Sequence, residues 1–550
     1  MSSSRQSLGA ALWRLSDLVR ADEGRLSFRA KAYRRAVWSL DDVAPDLTDS
    51  PEVMLAVPGI GPGVLRLIDE FRSKGEIALL ERLEALYPRD VARLRRLPRM
   101  TPALLRSLKA ELGVDQAVDL IVAVESGGVE TMKGVGPATA ERWARILELA
   151  PGPRAIPAFQ AAALAEAFER HLAHHLGGAT WVTGSVRVLD EWVETIDIVA
   201  ETSDPAHAGR FLSETSVARY LGRLEGDRAR METHDGVGLR VHVTNPGRAG
   251  ARLVETTGPP DHAAALLAGV DDDNLTEPDI YALSGRVWIP PPARGLPEAT
   301  ASGVVRLAEV RGDLHVHTDR SPDGRMSLVE VLSAAVDRGY EYVLITDHTS
   351  GLRFGGLDPQ ALRLQRAEID SVRSRFPDLL VLHGAELNVD RDGGLDVDEE
   401  GLALLDMAVA GVHSHFDLDR VEQTARVLTA VRHPVVRVLA HPTGRRIGIR
   451  SAIEVDLEAV FAAAVEAGVA LEVNGHRDRL DLSAPLATAA VAAGAVLAAN
   501  SDAHRVGEMG NVANSVATMQ KAGVGPVSVI NTLPVDRFRD WISGPVAVSG

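Results

Sequence analysis

Two histidines alternate with apolar residues in the segment 312–317, which reads GDLHVH. Successive side chains of a β-strand point to opposite faces, so His315 and His317 share one face while Leu314 and Val316 share the other. Two imidazoles on one face of a strand end can bind one metal ion. The segment therefore predicts a metal site at the end of a buried strand.

The same pattern recurs along the chain, because short apolar runs repeatedly end in a residue with a nitrogen or oxygen donor. The run 342–346 ends in Asp347 and His348. Later runs end in His383, Glu386, His413, His415, His441, Asn474, Asp502 and His504. A single histidine of this kind is more often a core or capping residue. The repetition, and the mixture of imidazole with carboxylate, favours a hydrolytic metal cluster at the strand ends of strand-helix repeats.

A family resemblance follows from the segments HVHT, TDH, GAE, VHSHF, AHPTGR and SDAH. In this order they resemble the PHP (polymerase and histidinol phosphatase) domain at the C-terminus of bacterial family X DNA polymerases. The resemblance implies three divalent ions, and His and carboxylate ligands leave zinc, manganese and iron open. The ligands that it implies are His315, His317, Asp323, His348, Glu386, His413, His441, Asp502 and His504.

Other residues near these positions are candidates for catalytic roles. Glu386, a single carboxylate among histidines, is the candidate bridging ligand. Asp313 and Asp347 each adjoin a ligand and are candidates for orienting the imidazoles. Arg445 follows the His-Pro-Thr-Gly run and either contacts a substrate phosphate or forms a surface salt bridge.

Glycine-rich turns precede helical patterns at two places in the N-terminal part, in the segments VPGIGPG and MKGVGPA. A tight turn before a helix exposes backbone N–H groups that suit a DNA phosphate. Two copies resemble helix-hairpin-helix elements of family X polymerases and favour non-specific DNA binding. The glycines are Gly59, Gly61, Gly63, Gly134 and Gly136. A further segment, LPRMTP at 97–102, lacks both glycines, which predicts a damaged turn.

Residues 151–298 resemble the nucleotidyltransferase palm and thumb of the same family. The segment TWVTGSVR, with Gly184, Ser185 and Arg187, resembles the turn that cradles the incoming triphosphate. Phosphoryl transfer on this fold needs three carboxylates around two metal ions. In family X the first two form an Asp-x-Asp motif, which here is Thr195-Ile-Asp197.

The third carboxylate of that family lies in a VDLR-like strand, where this chain has VGLR with Gly238. Glu194 is one residue out of step in a strand and points to the opposite face. Asp235 precedes the matching position by three residues. The pattern therefore predicts a palm that folds but does not polymerise, with Asp197 as a vestige.

Composition bounds the remaining possibilities. The chain has 550 residues, a net charge of −17 and no cysteine. The length predicts several domains, and the lack of cysteine excludes disulfides and thiolate zinc sites. Arginines concentrated in 89–106 indicate a local basic patch on an acidic protein or a solvated helix face. No apolar run has membrane-spanning length and no signal peptide is evident, which predicts a cytoplasmic protein without membrane contact, and we expect a monomer.

The predicted fold is multidomain α/β. Residues 1–80 are a helical helix-hairpin-helix domain, 81–150 a fingers-like helical helix-hairpin-helix domain, and 151–298 a degenerate α+β palm and thumb. A linker at 299–308 leads to a PHP domain at 309–550, by resemblance a distorted (β/α)7 barrel.

The leading functional hypothesis is a metal-dependent phosphoesterase that processes DNA 3′ ends, a 3′ to 5′ exonuclease of DNA repair acting on gapped, nicked or 3′-ended duplex. One alternative is an active gap-filling polymerase with a PHP exonuclease. A nucleotide is a candidate ligand of the palm whether or not the palm polymerises. A second is a histidinol-phosphatase-like enzyme for small molecules, and a third is a DNA-binding scaffold without activity. The donors at the strand ends disfavour the scaffold, because burying so many ionisable groups without metal is costly.

Overall fold

The computed structural model describes residues 4–24, 26–44, 46–149, 155–221, 227–271, 273–351 and 355–544. The chain divides into two compact units, Met1–Arg286 and Val287–Gly550. None of the helices within the described ranges combines the length and the apolar character needed to cross a membrane.

The first unit begins with a helical region. Its helices are α1 Ser4–Glu23, α2 Phe28–Ser39, α3 Pro51–Ala56, α4 Pro62–Lys74, α5 Ala78–Leu86, α6 Val91–Leu94, α7 Pro102–Leu112, α8 Ala117–Glu125 and α9 Pro137–Glu148. Short 3₁₀ turns occur at Leu40–Asp42 and Val129–Thr131. Side-chain caps from Ser27, Ser50 and Thr101 satisfy backbone N–H groups where α2, α3 and α7 begin.

Three turns of this region share one backbone conformation. Gly59 and Gly134 have φ values of +104° and +89°, and Arg99 occupies the corresponding position with φ +60°. In each turn the next residue donates its backbone N–H to the carbonyl two residues before the positive-φ position, at 3.1–3.2 Å. The prediction that the segment 97–102 has a damaged turn is therefore wrong, since Arg99 adopts the left-handed conformation that usually favours glycine.

A five-stranded mixed sheet follows. The elements are β1 Ile156–Pro157, α10 Ala158–Leu176, β2 Thr180–Thr183, α11 Gly184–Arg187, β3 Trp192–Val193, β4 Thr195–Glu201, α12 Pro205–Glu214, β5 Ala218–Tyr220, β6 Arg228–Thr233, β7 Gly238–Thr244, α13 Ala249–Thr256, α14 Pro260–Leu267 and α15 Glu277–Leu283. The strand order of the five-stranded sheet is β2-β4-β7-β6-β5, with β4 and β7 parallel and the other pairs antiparallel. β1 and β3 form a separate antiparallel pair. A core of buried hydrophobic residues extends from Leu8 to Val243 and so joins the helices to the sheet.

The second unit alternates strands and helices. Its elements are α16 Glu298–Ala301, β8 Gly312–Val316, α17 Leu328–Asp337, β9 Tyr342–Ile345, α18 Pro359–Val372, β10 Leu380–His383, β11 Glu386–Asn388, α19 Glu399–Leu402, β12 Ala408–Gly411, α20 Arg420–Val431, β13 Val436–Leu439, α21 Leu457–Ala467, β14 Ala470–Asn474, α22 Ala484–Ala492, β15 Leu497–Asn500, α23 Val512–Lys521 and α24 Val535–Ser543. Every apolar run that ends in a donor forms one of these strands.

The strands of this unit are parallel. One sheet has the order β10-β9-β8 and the other β11-β12-β13-β14-β15. Parallel bridges at Val316–Ala503 and His348–Glu386 connect the two sheets. Parallel strands covered by helices on their outer face are apolar nearly throughout, which explains why these runs do not alternate strictly.

Residues 299–308, predicted as a linker, lie within the second unit. Ala301 ends α16, a 3₁₀ turn covers Leu307–Glu309, and Val304 and Val305 are buried. Val305 N donates to the carbonyl of Val524, 2.9 Å away. The segment is therefore held by the second unit.

Candidate metal centre

The structure brings together all nine side chains predicted as metal ligands, which we call the donor cluster. Most of them follow the carboxyl ends of the parallel strands, where neighbouring strand ends converge, while His315 lies within β8 and Glu386 begins β11. Positive φ values of +29° at His441 and +53° at Asp502 aim two of these residues. Such backbone conformations cost about 1–3 kcal/mol each and are concentrated at functional sites.

Glu386 lies at the centre of the donor cluster. Its Oε1 lies 2.9 Å from His413 Nε2 and 2.8 Å from His441 Nε2. Its Oε2 lies 3.3 Å from His315 Nε2, 3.5 Å from His317 Nε2 and 3.0 Å from His348 Nδ1. A carboxylate with imidazoles at both oxygens has the arrangement expected of a ligand that bridges two ions.

Asp502 and Asp323 complete the donor cluster. Asp502 Oδ1 lies 3.5 Å from His315 Nε2 and 3.4 Å from His317 Nε2. Asp323 Oδ2 lies 3.4 Å from His504 Nε2 and 3.7 Å from His348 Nε2. The turn-forming SPDG segment thus directs its carboxylate into the donor cluster.

Three overlapping groups of donors have ligand atoms within 4.8 Å of one another. They are His315, His317 and Asp502; His317, His348 and His504; and His348, Glu386 and His413. His315 Nε2 and His317 Nε2 are buried, and the carboxylate oxygens of Glu386 and Asp502, 3.3–3.5 Å away, make no aligned hydrogen bond with them in the described part of the chain. Buried polar atoms are normally satisfied, so these nitrogens and the mixed N and O donors fit divalent metal ions.

Burial and mutual charge set the protonation of the donor cluster. Burial lowers the pKa of both His317 and His441 to about 4, so each imidazole is neutral at pH 7 and has a lone pair available. Although burial opposes it, the hydrogen bond to Asp323 raises the pKa of His504 to about 9. Glu386 stays ionised, because His413 and His315 outweigh its burial and hold its pKa well below the usual value.

Two residues that sequence reasoning missed orient the imidazoles. Glu472 on β14 is buried and places Oε1 2.7 Å from His315 Nδ1, while its Oε2 accepts the backbone N–H of His441. Ser321 Oγ lies 3.1 Å from His317 Nδ1. A glutamate inside an otherwise apolar strand was the available signal, because a buried carboxylate requires such partners.

Asp313 and Asp347 do not contact the imidazoles of the donor cluster, which corrects the orienting role predicted for them. Asp313 Oδ1 accepts the backbone N–H groups of His315 and Ser501, at 3.2 Å each, and burial raises the Asp313 pKa to about 7. Asp347 accepts the backbone N–H of Thr318 at 2.6 Å and also binds its hydroxyl. Both carboxylates therefore hold the backbone beside the ligands.

Arg445 is also placed differently from the prediction. Its Nε donates to the carbonyl of Arg479 at 3.0 Å, and Nη2 donates to the carbonyl of Leu480. It is therefore bound to backbone carbonyls. The guanidinium that reaches the donor cluster belongs to Arg479, whose Nε lies 3.2 Å from Asp502 Oδ2 and whose buried Nη1 has no hydrogen-bond partner among the described residues.

The polymerase-like position in the first unit has a different arrangement. Asp197 on β4 is buried, and its carboxylate pairs with Arg240 Nε at 2.8 Å and with His242 Nε2 at 2.9 Å. Thr195 lies opposite Gly238 in the register of β4 and β7. A Cβ at Gly238 would come within 2.7 Å of Thr195 Oγ1, so Thr195 leaves little room for a side chain at position 238.

In the turn predicted to cradle a triphosphate, the arginine side chain is likewise bound to other side chains of the protein. Arg187 Nη1 donates to Glu277 Oε1 at 3.0 Å and to Thr257 Oγ1 at 3.1 Å. Gly184 has φ +60°, and a Cβ there would lie 2.6 Å from Asp197 Oδ2, so only glycine allows this approach. Ser185 follows it in the short helix α11.

The two carboxylates considered as substitutes do not reach this position. Asp235 Oδ1 accepts the indole N–H of Trp13 at 2.9 Å, and Asp235 Oδ2 lies 3.9 Å from Arg34. Glu194 is exposed, and its backbone carbonyl accepts the N–H of Gly238. Both observations agree with the sequence argument.

The glycines of the two predicted DNA-binding turns lie where helices begin. Gly61 and Gly136 are the N-terminal caps of α4 and α9, and Gly63 lies in the first turn of α4. A Cβ at Gly61 or Gly136 would meet nothing within 4 Å, so the surrounding space is open. At the equivalent place before α7, Thr101 Oγ1 accepts the N–H of Leu104.

Comparison with known proteins gives a relative along nearly the whole chain. No family model matches. The DNA polymerase/3′-5′ exonuclease PolX of Bacillus subtilis is 29% identical over 541 residues, covering 92% of this chain and 94% of its own. This similarity confirms the resemblance to bacterial family X polymerases.

Other relatives match a single part of the chain. A probable phosphatase of Edwardsiella ictaluri is 29% identical over 252 residues, and one of Thermoanaerobacter sp. is 27% identical over 246; each covers 42% of this chain. These matches span 98% and 93% of the two phosphatases. A solved histidinol phosphate phosphatase from Lactococcus lactis has a TM-score of 0.32 at 17% identity and covers 39% of this chain and 94% of its own.

Proposed function

We propose that this chain, which is similar to a bacterial PolX along nearly its whole length, is a metal-dependent phosphoesterase that removes nucleotides from DNA 3′ ends. The donor cluster is its catalytic centre. The observation that carries the proposal is Glu386 with imidazoles at both oxygens, beside two buried imidazole nitrogens that make no hydrogen bond with the described residues. The relatives named as an exonuclease and as phosphatases support the reaction class.

The resemblance to family X polymerases implies three divalent ions in the donor cluster, and three overlapping groups of its donors lie close enough together to bind metal. Such ions activate water and neutralise the charge that develops on the phosphate. Glu386 holds two of these positions together, and Glu472 fixes the orientation of His315. The residue types accept zinc, manganese or iron.

Arg479 takes the role of phosphate contact that the sequence assigned to Arg445. Its guanidinium lies beside Asp502 and keeps Nη1 unbonded to the described residues. A guanidinium binds phosphate oxygens with charge-assisted hydrogen bonds. We therefore infer that Arg479 directs the scissile phosphate toward the donor cluster.

The second unit forms a distorted (β/α)7 barrel in this proposal. β10 and β11 are separated only by Gly384 and Ala385, so they count as one interrupted strand position. The bridges at Val316–Ala503 and His348–Glu386 support closure of the two sheets into one ring.

DNA is the substrate class that best accounts for the first unit. Three turns with one backbone conformation precede helices, and helix N-termini suit backbone phosphates. A cavity of about 270 Å³ in the same region is lined by Arg20, Lys31, Arg34 and Arg35. We assign the turns of Gly59, Gly61, Gly63, Gly134 and Gly136 to DNA-backbone contact, in line with the helix-hairpin-helix prediction.

The palm is inactive as a polymerase in this proposal. Two of the three carboxylate positions hold Thr195 and Gly238, and the remaining carboxylate, Asp197, is neutralised by Arg240 and His242. Phosphoryl transfer there lacks the charge neutralisation by metal ions on which it depends.

The test is digestion of a 5′-labelled primer-template by the purified full-length protein with manganese, beside hydrolysis of p-nitrophenyl phosphate. The proposal predicts stepwise shortening of the primer, at a rate far above that of p-nitrophenyl phosphate hydrolysis. Rapid hydrolysis of the small ester with an intact primer would instead establish a small-molecule phosphatase.

A further inference from the structure

A second group of histidines and carboxylates lies in the first unit, far along the chain from the donor cluster. Asp41 and Asp42 belong to the 3₁₀ turn Leu40–Asp42, and His171, His174 and His175 lie in the last turns of α10. His171 and His175 are four residues apart, so they lie on one face of the helix. Two overlapping groups of these residues have donor atoms within 4.8 Å of one another.

The hydrogen-bonding capacity of Asp41 is already used by other groups of the protein. Asp41 is buried, and its Oδ1 accepts the backbone N–H of Ser216 at 2.7 Å and pairs with Arg5 Nε at 3.2 Å. Its Oδ2 binds His171 Nε2 at 2.8 Å and also accepts the hydroxyl of Thr215. Because a carboxylate has about four acceptor positions, Asp41 has none left for a metal ion.

The carboxylate of Asp42 lies close to His174 and His175 without forming a hydrogen bond to either. Asp42 Oδ1 lies 3.9 Å from His174 Nε2 and 3.8 Å from His175 Nε2, beyond hydrogen-bond distance. Zinc bonds to imidazole and carboxylate of about 2.0–2.2 Å place tetrahedral ligands roughly 3.4 Å apart. Asp42 and His174 have exposed side-chain fractions of 41% and 73%, so both can move the few tenths of an ångström required.

We propose that Asp42, His174 and His175 form a binding site for a divalent transition-metal ion of the zinc class, with solvent as the remaining ligand. Two imidazoles and one carboxylate are a donor set that zinc accepts. The bound ion connects the turn after α2 to α10 and stabilises the first unit by mass action.

The experiment measures zinc bound per chain after equilibrium dialysis of the full-length protein and of its His174→Ala and Asp42→Asn variants. Each variant is expected to lose about one equivalent relative to the unaltered protein, because each removes one of three protein ligands. His207→Ala is the matched control. This exposed histidine of α12 belongs to none of the groups of close donor atoms found among the described residues, so its replacement should leave the zinc content unchanged.

Cobalt(II) absorption provides a second readout, since the difference spectrum between the unaltered protein and His174→Ala should show the visible bands of a nitrogen- and oxygen-ligated ion. Equal zinc content in the unaltered protein and both variants would overturn the site, as would an equal loss in His207→Ala. A His315→Ala, His317→Ala protein is dialysed in parallel. It should keep the equivalent that depends on His174 whether or not the donor cluster is a nuclease, so the two proposals fail separately.

Discussion

The donor cluster and the polymerase-like position bury the same kinds of side chain but neutralise them differently. Glu386 is surrounded by imidazoles, two of which have buried nitrogens without hydrogen-bond partners in the described part of the chain. Asp197 is paired with Arg240 and His242, whose hydrogens satisfy its carboxylate. The donor cluster keeps donor atoms available for cations, whereas the carboxylate at the polymerase-like position is paired with side chains of the protein itself.

Replacement of Glu386 by glutamine should have the largest effect on exonuclease activity. The change keeps the shape of the side chain but removes the charge shared by the imidazoles at both of its oxygens. Exonuclease activity on a labelled primer should fall about 1,000-fold or more, because metal ions supply several kcal/mol of transition-state stabilisation. Glu466→Gln, at an exposed position of α21, is the control and should retain full activity. Comparable activity of the two variants would exclude Glu386 from the centre.

Gly411→Ala tests the close packing of the donor cluster without removing a donor. A Cβ at this position would lie 2.8 Å from Glu386 Oε1 and 2.6 Å from His413 Cε1. We expect a loss of activity of about 100-fold, because displacement of catalytic groups by about 1 Å has effects of this size. Gly507→Ala is the control, since a Cβ there meets no atom within 4 Å. Unchanged activity of Gly411→Ala would mean that Glu386 tolerates displacement.

Arg479→Ala should reduce kcat/KM on the primer about 10- to 100-fold, as expected for loss of a hydrogen bond to a charged group. Steady-state kinetics measured at saturating manganese separate this effect from loss of metal. Arg432→Ala, an exposed position after α20, should leave kcat/KM unchanged. An Arg445→Ala protein with the larger defect would restore the role first predicted for Arg445.

Asp197→Asn should affect stability and leave chemistry intact. The change leaves His242 buried beside a neutral amide, and we expect a loss of about 1–2 kcal/mol in the free energy of unfolding. Exonuclease activity at a temperature where the protein is folded should stay within about twofold of the unaltered protein. Thermal unfolding and primer digestion measure the two effects, with Asp261→Asn, a change at an exposed residue of α14, as the control. Loss of exonuclease activity without loss of stability would contradict a purely structural Asp197.

Much of the second unit could be predicted because its ligands follow apolar strands in sequence. The strand ends of β8, β9 and β12 carry His317, His348 and His413 at or just beyond their last residues, so local pattern determines their position. The position of Glu472 inside an apolar strand is a local signal that it has a buried partner, but its partner His315, like the contact of Arg479 with Asp502, depends on which strands become neighbours. The same limit explains Arg445, which sequence places near the cluster but tertiary structure directs to the carbonyls of Arg479 and Leu480.

In the first unit, the sequence shows which carboxylates are missing but not what surrounds the one that remains. Thr195 and Gly238 stand where family X has carboxylates, whereas the pairing of Asp197 with Arg240 and His242 is seen only in the structure. Arg240 and His242 alternate on β7 opposite β4, a register known only from the sheet. Arg99 was misjudged because a left-handed turn can be held by its surroundings without glycine.

The most direct test of the account is a primer-template assay with manganese, with and without the four nucleotides, comparing the unaltered protein with a His315→Ala, His317→Ala double variant. The account predicts that the unaltered protein shortens the primer and never extends it, and that the double variant does neither. Nucleotide-dependent extension that survives in the double variant would contradict it, since synthesis would then occur at a position where Asp197 is bound by Arg240 and His242.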